Sequence, residues 1–311
     1  MDLLVDRITD LTDRIREFRL VGANACLPAW APGSHIDLDL GVAGARSYSL
    51  IDWTGDTSAP DHYTIAVQRE DDGSGGSKAM HALTVGGKIE ASDPKNDFEL
   101  PEDDLPVTLL AGGIGVTPMI SMAASLAAHQ RPFQLHYAVR SRDAAAYTSL
   151  LADRYSDNTY LHIDSEAPAD LRKIAKASAN GHLAICGPIG MIDAARSAAE
   201  AAGIPSDRIH VELFSSPAPT TGDQPFEVEI HDTGQVFTVP PGQTIISVLE
   251  AGGVDLVYDC QRGDCGICQV DVIDGTPDHR DVVLTDAEKA ANDVMQICVS
   301  RAKSPRLVLD L

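Results

Sequence analysis

Cys260-Gln261-Arg262-Gly263-Asp264-Cys265-Gly266-Ile267-Cys268 places three thiols at the spacing C-x4-C-x2-C, and a fourth, Cys298, stands alone further along the chain. This is the spacing at which thiolates hold a plant-type 2Fe-2S cluster. Gly263 and Gly266 fall where a loop must wrap the cluster with backbone N–H groups turned toward sulfur, a path that favours positive φ. The competing readings are zinc and disulfides. Structural zinc takes paired C-x2-C knuckles, whereas here a single C-x2-C follows a lone Cys260 and the fourth cysteine has no near neighbour. Disulfides imply an oxidising compartment, and the opening Met-Asp-Leu-Leu-Val-Asp-Arg has no positively charged n-region leading into an apolar stretch. The metal ligands expected are therefore Cys260, Cys265, Cys268 and Cys298, in a soluble cytoplasmic protein.

The formal charge of −22 over 311 residues is unevenly placed. Residues 1–105 carry 20 acids and 9 bases, 106–223 carry 11 and 9, and 224–311 carry 15 and 6, so both ends are acidic while the middle is nearly balanced. Such a field argues against nucleic acid, whose phosphates require basic residues. It suits either a basic partner surface or simple solubility. No apolar run approaches a membrane span.

Three segments follow one another. Residues 1–105 carry short alternating runs at 34–40 and 62–67 between Gly, Pro and Asp turns, as in a small antiparallel β-barrel. Residues 106–214 alternate strand and helix: strands at 107–111, 133–139 and 182–186, helical runs at 118–129 and 189–202. That is a doubly wound parallel sheet. Residues 215–225, dense in Pro, Ser, Thr and Gly, read as a linker. Beyond it, 226–311 opens with strand-like runs at 226–230 and 235–239 and a helix near 245–251.

Ala111-Gly112-Gly113-Ile114-Gly115-Val116-Thr117-Pro118 joins the first strand of the middle segment to its helix, a turn whose free N–H groups favour a pyrophosphate. It is not the G-x-G-x-x-G fingerprint, and tight packing is the alternative reading. Arg46-Ser47-Tyr48-Ser49 and Gly73-Ser74-Gly75-Gly76-Ser77 lie in the barrel segment, and Cys186-Gly187-Pro188 follows a later strand. A Tyr ring, an Arg and a glycine loop suit an aromatic, phosphorylated ligand, although each occurs alone in ordinary sheets and turns.

Taken in this order, these residues resemble the phthalate dioxygenase reductase family, a branch of the ferredoxin-NADP reductase superfamily with a plant-type ferredoxin at the C-terminus. The resemblance spans nearly the whole chain and implies a flavin barrel, a nucleotide domain and a β-grasp ferredoxin domain. It assigns Arg46, Ser47, Tyr48 and Ser49, Ala66, Val67 and Gln68, and the phosphate loop Gly75, Gly76 and Ser77 to flavin. Gly113, Gly115, Thr117, Cys186, Gly187 and Pro188 go to the pyridine nucleotide. Ser49 and Cys186 are expected at the hydride-transfer site. Glu212-Leu213-Phe214 resembles the family's E-x-F ending, which puts Phe214 on the flavin ring.

Two positions depart from the family pattern: Ser74, where a basic residue is common, and Asp264, an extra negative charge expected to lower the cluster potential. The domain order implies FMN, with FAD as the alternative. Arg140-Ser141-Arg142-Asp143 offers cations to the extra phosphate of NADPH, but relatives with a similar R-S-R resemble NADH users, so NADH is expected. The resulting expectation is a monomeric reductase serving a Rieske non-haem iron terminal oxygenase of the aromatic O-demethylase or dioxygenase type. The alternatives are a haem-thiolate monooxygenase as acceptor, or a non-catalytic redox sensor.

Overall fold

Alternation of apolar and polar residues in the N-terminal segment turns Leu3, Val5, Phe18, Leu20, Ile36 and Leu38 into one buried cluster. The chain is seen in a computed structural model that describes residues 1–24, 26–73, 75–214 and 222–311. Ser74 and the 215–221 part of the expected linker lie outside the described residues. The barrel strands are β1 (Asp2–Asp10), β2 (Ile15–Gly22), β3 (His35–Asp39), β4 (Ala45–Ser49) and β5 (Tyr63–Gln68). Helix α1 (Gly76–Ala82) follows, and then β6 (Lys88–Glu90).

An antiparallel sheet runs β5-β2-β1-β6, and β3 pairs with β4 as a separate hairpin. Hydrogen bonds from the flanking segments join the two. Ser92 N–H donates to the Asp37 carbonyl at 2.9 Å on one side, and Ile51 N–H to the Thr64 carbonyl at 2.8 Å on the other. The expected barrel is a sheet and a hairpin stitched at both edges.

The next segment supplies β7 (Val107–Gly112), α2 (Val116–Ala128), β8 (Phe133–Val139), α3 (Thr148–Tyr155), β9 (Thr159–Ile163), α4 (Leu171–Ala177), β10 (His182–Cys186), α5 (Ile189–Ala201) and β11 (Ile209–Glu212). All pairings in the order β11-β10-β7-β8-β9 are parallel. β7 is buried throughout, as a strand covered on both faces must be. The chain winds from β7 outward to β9 and then crosses back to β10, which creates a switch point between β7 and β10. Ligands of open α/β sheets bind in the crevice at such a point.

Helix α2 is buried along nearly its whole length because it packs against the barrel as well as the sheet. The Ser121 hydroxyl donates to the Leu50 carbonyl and accepts the Asp52 N–H, both at 2.8 Å. Ile15, Ile51, Ala66 and Phe98 of the barrel segment share one apolar cluster with Leu109 and Met119. The Tyr147 hydroxyl donates to the Glu17 carboxylate at 2.8 Å. Barrel and sheet thus form one compact unit, Met1–Glu212, and the second unit is Leu213–Leu311.

The second unit contains β12 (Phe226–Ile230), β13 (Val236–Val239), α6 (Ile245–Ala251), β14 (Gln269–Asp274), β15 (Pro277–Asp278), α7 (Asp286–Ala291), β16 (Val294–Gln296), β17 (Arg301–Ala302) and β18 (Arg306–Asp310). Its main sheet runs β13-β12-β18-β14-β16, with β12 and β18 parallel and the other pairs antiparallel. Helix α6 starts at a Thr244–Ser247 capping box and buries Ile245, Ile246 and Leu249 in the same cluster as Val228 and Leu309. This is the β-grasp arrangement. Arg280 forks onto Asp223 at 2.6 and 3.1 Å and also meets Asp278 at 2.7 Å, fixing the chain just before β12.

Two histidine pairs cross the parallel sheet: His136 Nδ1 lies 3.0 Å from His162 Nε2, and His182 Nδ1 3.0 Å from His210 Nε2. Burial, helped by the neighbouring imidazole, pushes His136 and His210 down from 6.5 to about 4. Each ring is harder to protonate folded than unfolded, so below pH 6.5 the unfolded chain takes up more protons. Stability is therefore full above pH 6.5 and lost as pH falls toward about 4. Urea unfolding across this window should show that decline, with a shallower slope in His136→Gln.

Candidate active site and cluster centre

The two turns expected to hold a nucleotide meet at the switch point. A Cβ on Gly115 would overlap the Cys186 carbonyl, and one on Gly187 would come within 2.9 Å of Gly112 Cα. These glycines are required for turn-against-turn packing. Gly113 differs, with φ +56 and nothing within 4 Å of where its Cβ would stand, so its backbone is the part open to a ligand. Pro188 caps α5, and the Thr117 hydroxyl is buried and donates to the Ile114 carbonyl at 3.0 Å. Thr117 thus shapes the turn through its own backbone.

Cys186 and Glu212 end adjacent parallel strands in direct register. The thiol lies 3.9 Å from Glu212 Oε2, and both side chains are buried. Glu212 thus joins the candidate site, with a role the sequence left open. Only its place in the Glu212-Leu213-Phe214 ending marked it in the sequence, since the pairing with Cys186 is set by strand register.

In the barrel, Arg46 crosses the start of α1: a Cβ on Gly76 would stand 2.7 Å from Arg46 Cγ. Arg46 and the Gly75–Gly76 turn are therefore brought together, as a phosphate site requires. The Ser77 hydroxyl accepts the Glu70 N–H at 2.9 Å, and the Ser47 hydroxyl donates to Asp37 at 2.6 Å. Both are engaged locally. Ala66 and Val67 are buried in different clusters, while Gln68 donates to Glu70 at 2.7 Å. Burial raises the Tyr48 hydroxyl to about 12, against the pull of Arg46, so it stays a neutral hydrogen-bonding group.

The Ser49 hydroxyl is buried with no hydrogen-bond partner among the described residues. An orphaned buried group of this kind costs about 1–3 kcal/mol, and a ring ligand with polar atoms would satisfy it. Arg46, Gly76 and Ser49 thus fit an aromatic phosphorylated group. Arg140 is exposed at the end of β8. Phe214 belongs to the second unit and is 42% exposed.

In the second unit the four cysteines come together. Thiol hydrogen bonds link Cys260 to Cys265 and Cys298, and Cys298 to Cys268. The bonds from Cys265 and Cys298 pull Cys260 well below the ordinary thiol range, and its sulfur also accepts the Arg262 N–H at 3.3 Å. Among the described residues no group of three or more His, Cys, Asp or Glu is placed to hold a single metal ion. Four gathered thiols fit the thiolate ligation of a 2Fe-2S cluster. Gly263 at φ +86 and Gly266 at φ +79 take the left-handed path, and Gln261 does so at φ 51. Behind the loop, the Val282 N–H donates to the Gly263 carbonyl at 2.9 Å, and the buried Asp281 carboxylate caps the N–H groups of Val283 and Leu284.

Asp264, the acid that departs from the family pattern, is buried in the cluster loop. Its side chain is 3% exposed, accepts the Leu213 N–H at 2.7 Å and lies 3.4 Å from Arg262 Nε. Burial, with Cys260 beside it, raises the carboxyl to about 7 against the pull of Arg262 and that N–H. Its charge is compensated locally.

A nucleotide crevice beside a barrel with an orphaned serine, followed by a four-thiol β-grasp domain, defines an NAD-dependent iron-sulfur oxidoreductase. A family model described as a 2Fe-2S iron-sulfur cluster binding domain matches residues 228–303, and one described as an oxidoreductase NAD-binding domain matches 109–197. The vanillate O-demethylase oxidoreductase of Pseudomonas sp. (strain HR199) is 42% identical over 292 residues, 92% of this chain and 91% of that protein. Phthalate dioxygenase reductase, described as a modular structure for electron transfer from pyridine nucleotides to 2Fe-2S, is similar with TM-score 0.72 and 32% identity. The match covers 100% of this chain and 98% of that one. An intact type IV self-sufficient cytochrome P450 monooxygenase gives TM-score 0.75 and 35% identity, over 100% of this chain and 41% of that chain. The chain belongs to the phthalate dioxygenase reductase family. No helix among the described residues is long and apolar enough to cross a membrane.

A Cβ at position 263 would be strained by the positive φ and would stand 2.7 Å from Val299 Cγ2. Gly263→Ala should therefore retain less iron after reconstitution than the parent, with an unchanged far-ultraviolet spectrum. Gln261→Gly should retain it fully. Iron analysis of the two variants checks this.

Proposed function

We propose that the chain is the reductase component of a multicomponent oxygenase. It takes electrons from NADH through FMN and a 2Fe-2S cluster to a Rieske non-haem iron terminal oxygenase of the aromatic O-demethylase or dioxygenase type. The observation that carries this reading is the pairing, in one chain, of a nucleotide crevice with an orphaned Ser49 hydroxyl and a separate domain with four gathered thiols. When bound, an isoalloxazine supplies the exchange between a donor that yields two electrons together and an acceptor that takes one.

The chain's own residues bind and orient. Arg46 and the Gly75, Gly76 and Ser77 segment hold the flavin phosphate, and Tyr48 lines the ring. The Ser49 hydroxyl, which has no hydrogen-bond partner among the described residues, is free to donate to a polar atom of the ring. Gly113, with its backbone open, receives the pyrophosphate, while Cys186, backed by Glu212, positions the nicotinamide. The E-x-F resemblance assigns Phe214 to the flavin ring. No general acid or base is required of the protein. Cys260, Cys265, Cys268 and Cys298 hold the cluster as thiolates.

A second reading, a haem-thiolate monooxygenase as acceptor, draws on the likeness to the self-sufficient P450 monooxygenase. Assays with each acceptor separate the two.

Anaerobic NADH should bleach the flavin and cluster absorption of the purified protein. A protein that holds neither group after reconstitution with iron, sulfide and flavin overturns the proposal. Cys265→Ser should abolish cytochrome c reduction while sparing ferricyanide, and equal loss of both would contradict the order of carriers. The 15 acids against 6 bases of residues 224–311 suit a basic patch on the oxygenase, so coupled turnover should fall as ionic strength rises.

A further inference from the structure

In doubly wound sheets the adenosine ribose lies over the end of the second strand counted from the switch point. An acid there accepts the 2′-hydroxyl of NAD, or an arginine takes the 2′-phosphate of NADP. In this chain that strand is β8, and Arg140-Ser141-Arg142-Asp143 follows it. The sequence offers two cations for a phosphate.

The structure gives one of them to a carboxylate. Arg142 Nε and Nη2 donate to Glu166 Oε1 and Oε2 at 2.9 and 2.6 Å, a bidentate fork. The same bond raises the Arg142 guanidinium and lowers the Glu166 carboxyl from their ordinary ranges. Glu166 is placed by the end of β9, where its N–H donates to the Ile163 carbonyl at 2.9 Å. The Asp164 N–H donates to the Val139 carbonyl at 2.9 Å, which brings a further acid to the end of β8. Arg140 and Arg142 therefore share this edge with Asp143, Asp164 and Glu166, and carboxylates outnumber guanidinium groups.

We propose that Glu166 is a specificity-determining residue: by occupying Arg142 and adding negative charge at the ribose end of the crevice, it disfavours the 2′-phosphate of NADPH and leaves NADH preferred. The inference rests on the NADH-dependent reading above. NADH brings a hydroxyl and leaves the fork intact, whereas NADPH brings an anion that must displace Glu166 from Arg142 while facing its charge. Discrimination of this kind comes from a group that acts against the wrong ligand. Both side chains are largely exposed, at 69% and 47%, so the pair is screened and its contribution is modest.

Calorimetric titration of the full chain with 2′,5′-ADP and with ADP reads the adenosine end without any redox step. In Glu166→Gln the ratio of the two dissociation constants should shift toward 2′,5′-ADP by roughly threefold to tenfold, the range an exposed ion pair and one added charge support. KM for NADPH relative to NADH should fall in parallel. Adding Arg142→Ala to Glu166→Gln should shrink the shift to the part due to the lost carboxylate charge, because the released guanidinium supplies the rest. An unchanged ratio in Glu166→Gln, or a shift just as large without Arg142, overturns the proposal while NADH reduction by the parent leaves the functional reading standing. A parent chain that binds neither ADP nor NADH overturns both.

Discussion

The reductase unit depends on the contact of two turns stripped of side chains. Gly112 and Gly115 on one turn meet Cys186 and Gly187 on the other at distances where a Cβ would overlap backbone atoms or force a neighbour to move. That contact sets the crevice. It leaves Gly113 as the accessible backbone, and lets Cys186 at the end of β10 lie in register with Glu212. It also starts α2 at the angle from which Ser121 reaches the barrel backbone at Leu50 and Asp52. A side chain added at the turn would be felt in both halves of the unit.

The cluster loop solves a different problem. Four like groups must be gathered without burying unpaired charge. The answer is a left-handed path through Gly263 and Gly266, with Arg262 N–H turned onto Cys260. The Asp281 segment packed behind holds that path through the Gly263 carbonyl. Asp264 joins the arrangement as an acceptor for the chain at Leu213, and Arg262 shares its charge.

Much of this was legible from the residues alone. Strands at 133–139, 182–186 and 226–230 and the helix at 245–251 coincide with β8, β10, β12 and α6, because each is an apolar run bounded by turn residues. β1 was not singled out because a register shift between Val5 and Arg7 breaks its alternation. The cysteine ligands could be read because thiolate spacing fixes their chemistry. The Cys186–Glu212 contact depends on strand register, and the Arg142–Glu166 fork joins loops from two different crossovers, so neither follows from local pattern. The surroundings of Asp264 are non-local for the same reason, because its partner Leu213 is remote in sequence.

The shared core of the first unit has a consequence for how such chains can be recombined. Ile15, Ile51, Ala66 and Phe98 are covered by residues of the nucleotide sheet and α2, so a chimera spliced near residue 105 would leave a greasy scar on each parent. The transplantable module is the first 212 residues taken whole. A barrel borrowed without its own sheet would need a new lid of matching shape before it could fold alone.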